Sequence, residues 1–226
     1  RQRARGAGQV FGFTSARVGG GTTALVRELA LTLQQLGYRA LIVDANSLSR
    51  SDSEILGQPG LGELMAGSAS AGEIVHECHH QGRPLAMVPF GVAGPSGIER
   101  LDRLRDALAQ WSQSWDIVLV DIPPILPSAD AELLVEVVGQ VFVVAEACAV
   151  TKRDIARTRI LLERLDPGAV GLIVNKVPLD SGGDELTAQT IETITGGRFE
   201  RFMSLPWLRL RWQILMAQRA ARRMKT

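Results

Sequence analysis

Cysteine is scarce in this chain. Cys78 and Cys148 are the two in 226 residues, and their surroundings are unrelated, which excludes a disulfide-stapled scaffold and leaves both thiols reduced. Tyrosine is scarcer still, with Tyr38 alone, and the three histidines fall in one stretch, His76, His79 and His80 around Cys78. That stretch lacks a familiar metal-ligand spacing and a second ligand cluster, so it reads as a solvated helix end or loop. Cys148, in VVAEACAV, reads as the end of a buried strand. No apolar run approaches the ~20 residues of a membrane span, and no secretory signal opens the sequence, so the expected setting is cytoplasmic. Acidic residues are missing from 201–226, where seven Lys/Arg lie, and three more Arg occupy the first five positions. All 24 Asp/Glu sit between these two basic ends, although the formal net charge is only +1. An acidic body with a basic tail points to a polyanionic surface as the tail's partner.

The apolar content, 46%, is enough for an ordinary buried core. Short apolar runs alternate with amphipathic stretches: VFGFT before ALVRELALTLQQLG, then ALIVDA, LAMVPFG, IERLDRLRDALAQW, DIVLVDIPP, ADAELLVEVV, QVFVVAEA, DIARTRILLERL and GLIVN. Strands too continuously apolar to face water, separated by helices, predict a doubly wound α/β fold with a mostly parallel sheet and helices on both faces. A short helix is expected near Leu61 to Ala66. One domain is expected over residues 8–200, followed by the basic tail at 201–226.

The first strand and helix are joined by ARVGGGTT. Gly19, Gly20 and Gly21 have no Cβ to stop the backbone from wrapping a phosphate at the helix N-terminus. Such loops usually end in Gly-Lys-Ser/Thr, and here the lysine is replaced by Thr22. Thr23 occupies the position of a Mg²⁺-binding hydroxyl, and Asp121, ending DIVLVD, is placed to hold Mg²⁺ through water. Asp44 ends LIVDAN in the same way. The competing role for either acid is capping of the following turn.

TSARVGGGTT, LIVDAN, GLGELMAGSAS, LAMVPFG, WDIVLVDIPPILPSADAELL and GLIVNKV together resemble the cytoplasmic kinase domain of the bacterial tyrosine kinases that accompany capsule and exopolysaccharide chain-length regulators. The resemblance spans roughly residues 9–178. More distantly the chain is similar to MinD/ParA-type ATPases, which share the deviant Walker A loop. It implies ATP or ADP with Mg²⁺ as cofactors, Asp44 and Asp121 as catalytic acids, and Thr23 and Asp121 as the metal site. It also implies Arg17, Gly19, Gly20, Gly21, Thr22 and Thr23 around the phosphates, with Asn175 and Lys176 where such folds contact the base.

The departures from that pattern matter as much. Thr22 replaces the lysine, Asn46 offers an amide where a carboxylate is expected, and no tyrosine cluster ends the chain. Weak nucleotide binding and slow or absent turnover follow, because a charge-assisted contact contributes about 1.5–3 kcal/mol. Arg17 is a substitute cation, within its own site or across a dimer. The implied role is a degenerate regulator or scaffold of exopolysaccharide synthesis or export, peripheral at the inner membrane. Its expected partners are a chain-length regulator or export component and further copies of itself. A working MinD/ParA-like ATPase that positions a membrane or polar complex, and a nucleotide-free interaction protein, are the alternatives.

In the tail, Trp207, Leu210, Ile214, Ala217, Ala221 and Met224 follow a 3-4 spacing, while Arg209, Arg219, Arg222, Arg223 and Lys225 fall largely elsewhere. A basic amphipathic helix of this kind either packs on the body or lies on an anionic membrane surface or a membrane-protein partner. No groove-reading motif accompanies it, which ranks nucleic acid last.

Overall fold

The computed structural model describes residues 8–48, 55–92 and 99–176. The basic tail and the expected domain limit at residue 200 lie outside the described residues. Seven strands, β1 (Gln9–Ser15), β2 (Ala40–Asp44), β3 (His76–His80), β4 (Arg83–Val88), β5 (Ile117–Asp121), β6 (Gln140–Glu146) and β7 (Ala169–Asn175), form one sheet. Five helices, α1 (Thr22–Gln35), α2 (Leu61–Ala66), α3 (Glu99–Ser114), α4 (Ala129–Val138) and α5 (Lys152–Leu165), connect them. The strand order is β3-β4-β2-β5-β1-β6-β7, and every neighbouring pair is parallel except β3 with β4.

The strand sequences explain the layering. In β2, Leu41 and Val43 join one core with α2, α3 and α4, while Ala40 and Ile42 join the other with α1. In β5, Val118 and Val120 divide from Leu119 in the same way. Successive side chains leave opposite faces of a strand, so a run that is apolar at every position needs cover on both sides. The doubly wound expectation holds.

One element differs from expectation. His76–His80 is a strand at the sheet edge, antiparallel to β4, and neither a helix end nor a loop. Gln81 and Gly82, with φ of 53° and 72°, make the two-residue turn into β4. Two positive φ values suit the right-handed twist of a hairpin. Cys78 is buried on the α1 side between exposed Glu77 and His79, so the strand alternates with a single apolar residue to show for it. Cys148 also departs from expectation: it is exposed, just beyond β6, with φ of 63°.

The central strands carry the site residues on their carboxyl ends, so core packing beneath them fixes the site. Leu119→Ala, at a position only 1% exposed, should cost about 2–5 kcal/mol in urea unfolding. A cost below about 1 kcal/mol would contradict the burial of β5 between two helical layers.

Candidate functional site

The glycine loop follows β1 and runs directly into α1. Gly19 and Gly21 have φ of 91° and 80°, a region that side chains disfavour, and Gly21 is the N-cap of α1. A Cβ on Gly20 would lie 2.8 Å from Cβ of Ser15, so only glycine lets the loop pass this close to the end of β1. Among the described residues no side chain caps α1, and no acid occupies its first turn. The first N–H groups of this helix are therefore available to an anion, in the field of the helix dipole.

Beside the loop, Thr23 Oγ1 donates a 2.5 Å hydrogen bond to Asp121 Oδ2. Asp121 is 1% exposed, and its Oδ1 is buried with no hydrogen-bond partner among the described residues. Its neighbour in the sheet register is Asp44, likewise 1% exposed, so two buried carboxyl groups end adjacent parallel strands. Burial is the main force on Asp121 and pushes its pKa up to about 7; Thr23 opposes this, Asp44 adds to it, and Arg27 and Asn46 oppose it more weakly.

Asp44 has a turn-forming role as well: its Oδ1 accepts from Asn46 N at 3.1 Å, and Asn46 Oδ1 accepts from Leu48 N at 3.2 Å. The capping role weighed for both acids is therefore seen at Asp44. Asp121 is engaged by Thr23 instead.

Thr22, at the lysine position, is 6% exposed, and its hydroxyl is buried without a partner among the described residues. Arg17 directs its guanidinium to Asp154 Oδ1 of α5, 2.9 Å away. Asp154 is also the capping-box acid of that helix, and Thr151's hydroxyl, followed by Arg17, holds its carboxyl below the usual range. The structure thus assigns the expected loop cation to an ion pair with α5. Asn175 and Lys176, by contrast, do reach the loop: Asn175 Nδ2 donates to Gly20 O at 3.1 Å and Lys176 Nζ to Gly19 O at 2.9 Å. Arg27 escaped the sequence reading. It follows Thr23 by four residues, the spacing that stacks side chains on one helix face, and that spacing was the available signal.

These residues fit Mg²⁺ and a nucleotide. A hydroxyl and a carboxylate are hard oxygen donors, one carboxylate oxygen is left over, and the glycine backbone leaves room that a Cβ would fill. Among the described residues no group of three or more His, Cys, Asp or Glu could hold a metal ion. Mg²⁺ does not require one, since it keeps several waters and binds through one or two protein groups plus phosphates.

The family model for cellulose biosynthesis protein BcsQ matches residues 9–181. The chain belongs to the BcsQ family. Among curated relatives of this BcsQ-family chain, the tyrosine-protein kinase CpsD of Streptococcus agalactiae is 26% identical over 175 residues, 75% of either chain. Among solved structures, the kinase domain of the Escherichia coli tyrosine kinase ETK matches with a TM-score of 0.67 and 27% identity, over 77% of this chain and 70% of that one. MinD of Aquifex aeolicus matches with a TM-score of 0.67 and 20% identity, over 83% and 78% of the two chains. Cobyrinic acid a,c-diamide synthase of Mycobacterium smegmatis, solved with bound ADP and magnesium, matches with a TM-score of 0.66 and 15% identity over 82% of each chain. The last two likenesses establish the fold. The resemblance to bacterial tyrosine kinases and to MinD-like P-loop proteins therefore stands.

The raised pKa of Asp121 has a direct consequence for stability. The folded protein keeps a proton up to about pH 7 that the unfolded chain releases near 3.8, so the nucleotide-free protein loses stability as pH rises through that window. Urea midpoints without nucleotide should fall between pH 5 and pH 8, and Asp121→Asn should remove most of the fall. Equal slopes for the two proteins would place the titration elsewhere.

Proposed function

We propose that this BcsQ-family chain is a nucleotide-binding regulator or scaffold in exopolysaccharide biosynthesis, with cellulose as the polysaccharide its family name suggests. The observation that carries the reading is the N-terminus of α1, without a side-chain cap among the described residues, beside the Thr23–Asp121 pair, whose second carboxylate oxygen has no hydrogen-bond partner among them. ATP or ADP would lie with its phosphates against Gly19 to Thr23, and Mg²⁺ would be held by Thr23 and Asp121, supplying positive charge to the phosphate oxygens. The ADP and magnesium in the synthase of the same fold support that choice of ligand.

Asp121 would give up its proton when the cation arrives, and Thr23 would turn its hydroxyl oxygen toward the metal. Asp44 would hold the turn at Asn46 and add negative charge beneath the site. Turnover suffers more than binding from a missing loop lysine, because lysine, metal and acid act together on charge that develops at the transferring phosphoryl group. The reading is therefore a switch or scaffold with weak hydrolysis. With Tyr38 as the single tyrosine, autophosphorylation on a tyrosine cluster has no substrate in this chain.

Calorimetry should detect Mg·ADP or Mg·ATP binding in the micromolar range or weaker, lost in Thr23→Ala, with phosphate release far below roughly one per second. Absence of binding at millimolar nucleotide would sink the reading, and turnover near one per second would remove its degenerate character.

A peripheral position at the inner membrane, beside a chain-length regulator or export component, rests on the charge of residues 201–226. Each cation near an anionic lipid surface contributes about 1 kcal/mol, screened over roughly 8–10 Å. Truncation after Ser204 should abolish sedimentation with phosphatidylserine vesicles, and raised salt should reduce it. Unchanged sedimentation on truncation would rule out the tail as the attachment.

A further inference from the structure

The loop at Gly19–Gly21 lacks the lysine of its own sequence, yet an ammonium group contacts it. We propose that Lys176, carried at the end of β7, is the positioning residue that gives the glycine loop its positive charge and its phosphate-binding conformation. The inference rests on the nucleotide-binding reading above and deepens it by naming the cation that position 22 does not supply.

The geometry is specific. Lys176 Nζ donates to Gly19 O at 2.9 Å, 157 positions away in the chain, and to Glu146 Oε2 at 3.0 Å. Its neighbour Asn175 donates to Gly20 O at 3.1 Å. Two successive loop carbonyls are thus held from the β7 side. In a trans peptide the C=O and the following N–H point in opposite directions, so anchoring these carbonyls turns the N–H groups of Gly20 and Gly21 to the other side, where an anion would be cradled.

The packing is close enough to be selective. A Cβ on Gly21 would come within 2.6 Å of Asn175 Nδ2 and 3.4 Å of Lys176 Cε. Lys176 itself has φ of 54°, a conformation that residues with a side chain disfavour, and strain of this kind persists where surrounding structure holds it. Asn175 Oδ1 accepts from Lys176 N at 2.9 Å, and Asn175 O accepts from Ala147 N at 2.8 Å, which fix the turn. An ammonium has three donors, and two are spent on Gly19 and Glu146. The lysine side chain is 48% exposed, so the third is open to solvent, and Lys176 acts on a bound anion through the loop it anchors. Among the described residues, Arg17 is turned to Asp154 of α5 and Arg27 acts on Asp121, whereas the pair of Lys176 with Glu146 leaves its ammonium on a loop carbonyl.

This assignment differs from the base-contacting role expected for Asn175 and Lys176. A cation that acts on the phosphates matters equally for a ligand without a base. A base contact matters for the nucleoside alone.

The test compares wild type, Lys176→Met and Lys176→Arg by calorimetry with Mg·ADP, and by competition of Mg·pyrophosphate against it, alongside melting of the ligand-free proteins. The expected result is that Lys176→Met lowers affinity for both ligands by a similar factor of about 10 or more, Lys176→Arg recovers most of it, and the melting temperatures agree. Raised salt should shrink the difference between wild type and Lys176→Met. Weakened ADP binding with pyrophosphate unchanged would overturn the proposal in favour of a base contact. Unchanged affinity for both ligands, or a loss of affinity matched by a lower melting temperature in both variants, would overturn it in favour of a purely structural brace. If wild type binds neither ligand at millimolar concentration, the nucleotide-binding reading itself fails and this inference fails with it.

Discussion

Two carboxyl groups that end adjacent strands of a covered parallel sheet cannot both be charged without help. Asp44 and Asp121 are neighbours in the register of β2 and β5, and both are almost wholly buried. Their separation is set by the sheet itself, since parallel strands lie about 4.8 Å apart. The rest of the site answers this constraint. Thr23 donates to Asp121, Asn46 N donates to Asp44, and Arg27 lends its charge from the next turn of α1. Among the described residues one oxygen of Asp121 has no hydrogen-bond partner, and a divalent cation is the natural complement of a desolvated carboxylate beside a hydroxyl.

The glycine loop is shaped by backbone and packing, which is why it can survive a change at position 22. Its form comes from the positive φ values at Gly19 and Gly21, the close pass of Gly20 over Ser15, and the carbonyl contacts from the end of β7. Thr22 is buried among these elements and contributes no hydrogen bond there among the described residues. A threonine at position 22 leaves these backbone contacts in place, since none of them is made by its side chain.

Kinship with CpsD and with the ETK kinase domain covers 75% and 77% of this chain. Asn46 holds the turn after β2 through its amide, and Tyr38 lies between α1 and β2. A fold of this kind hosts kinases, positioning ATPases and amide-forming enzymes alike, so the site residues and the family decide the function.

Much of this was readable in the chain itself. Fully apolar runs such as ALIVD and IVLVD require cover on both faces, and helices with a 3.6-residue period supply it, so the doubly wound class follows from local pattern. Three glycines before a helix, and a threonine and an aspartate at fixed places, pointed to the loop and strand end that the structure brings together, through chemistry that is local too. The HECHH strand escaped because its one buried residue is Cys78, and an alternation that carries a single apolar residue leaves no hydrophobic pattern to detect. Only the tertiary structure decided which charges meet. Arg17 lies in the loop yet pairs with Asp154, 137 residues away, while Lys176 lies beyond the last described strand and touches Gly19. Strand order and register bring such partners together, and no spacing along the chain encodes them, because hydrogen bonding between strands is indifferent to how far apart their residues stand in sequence.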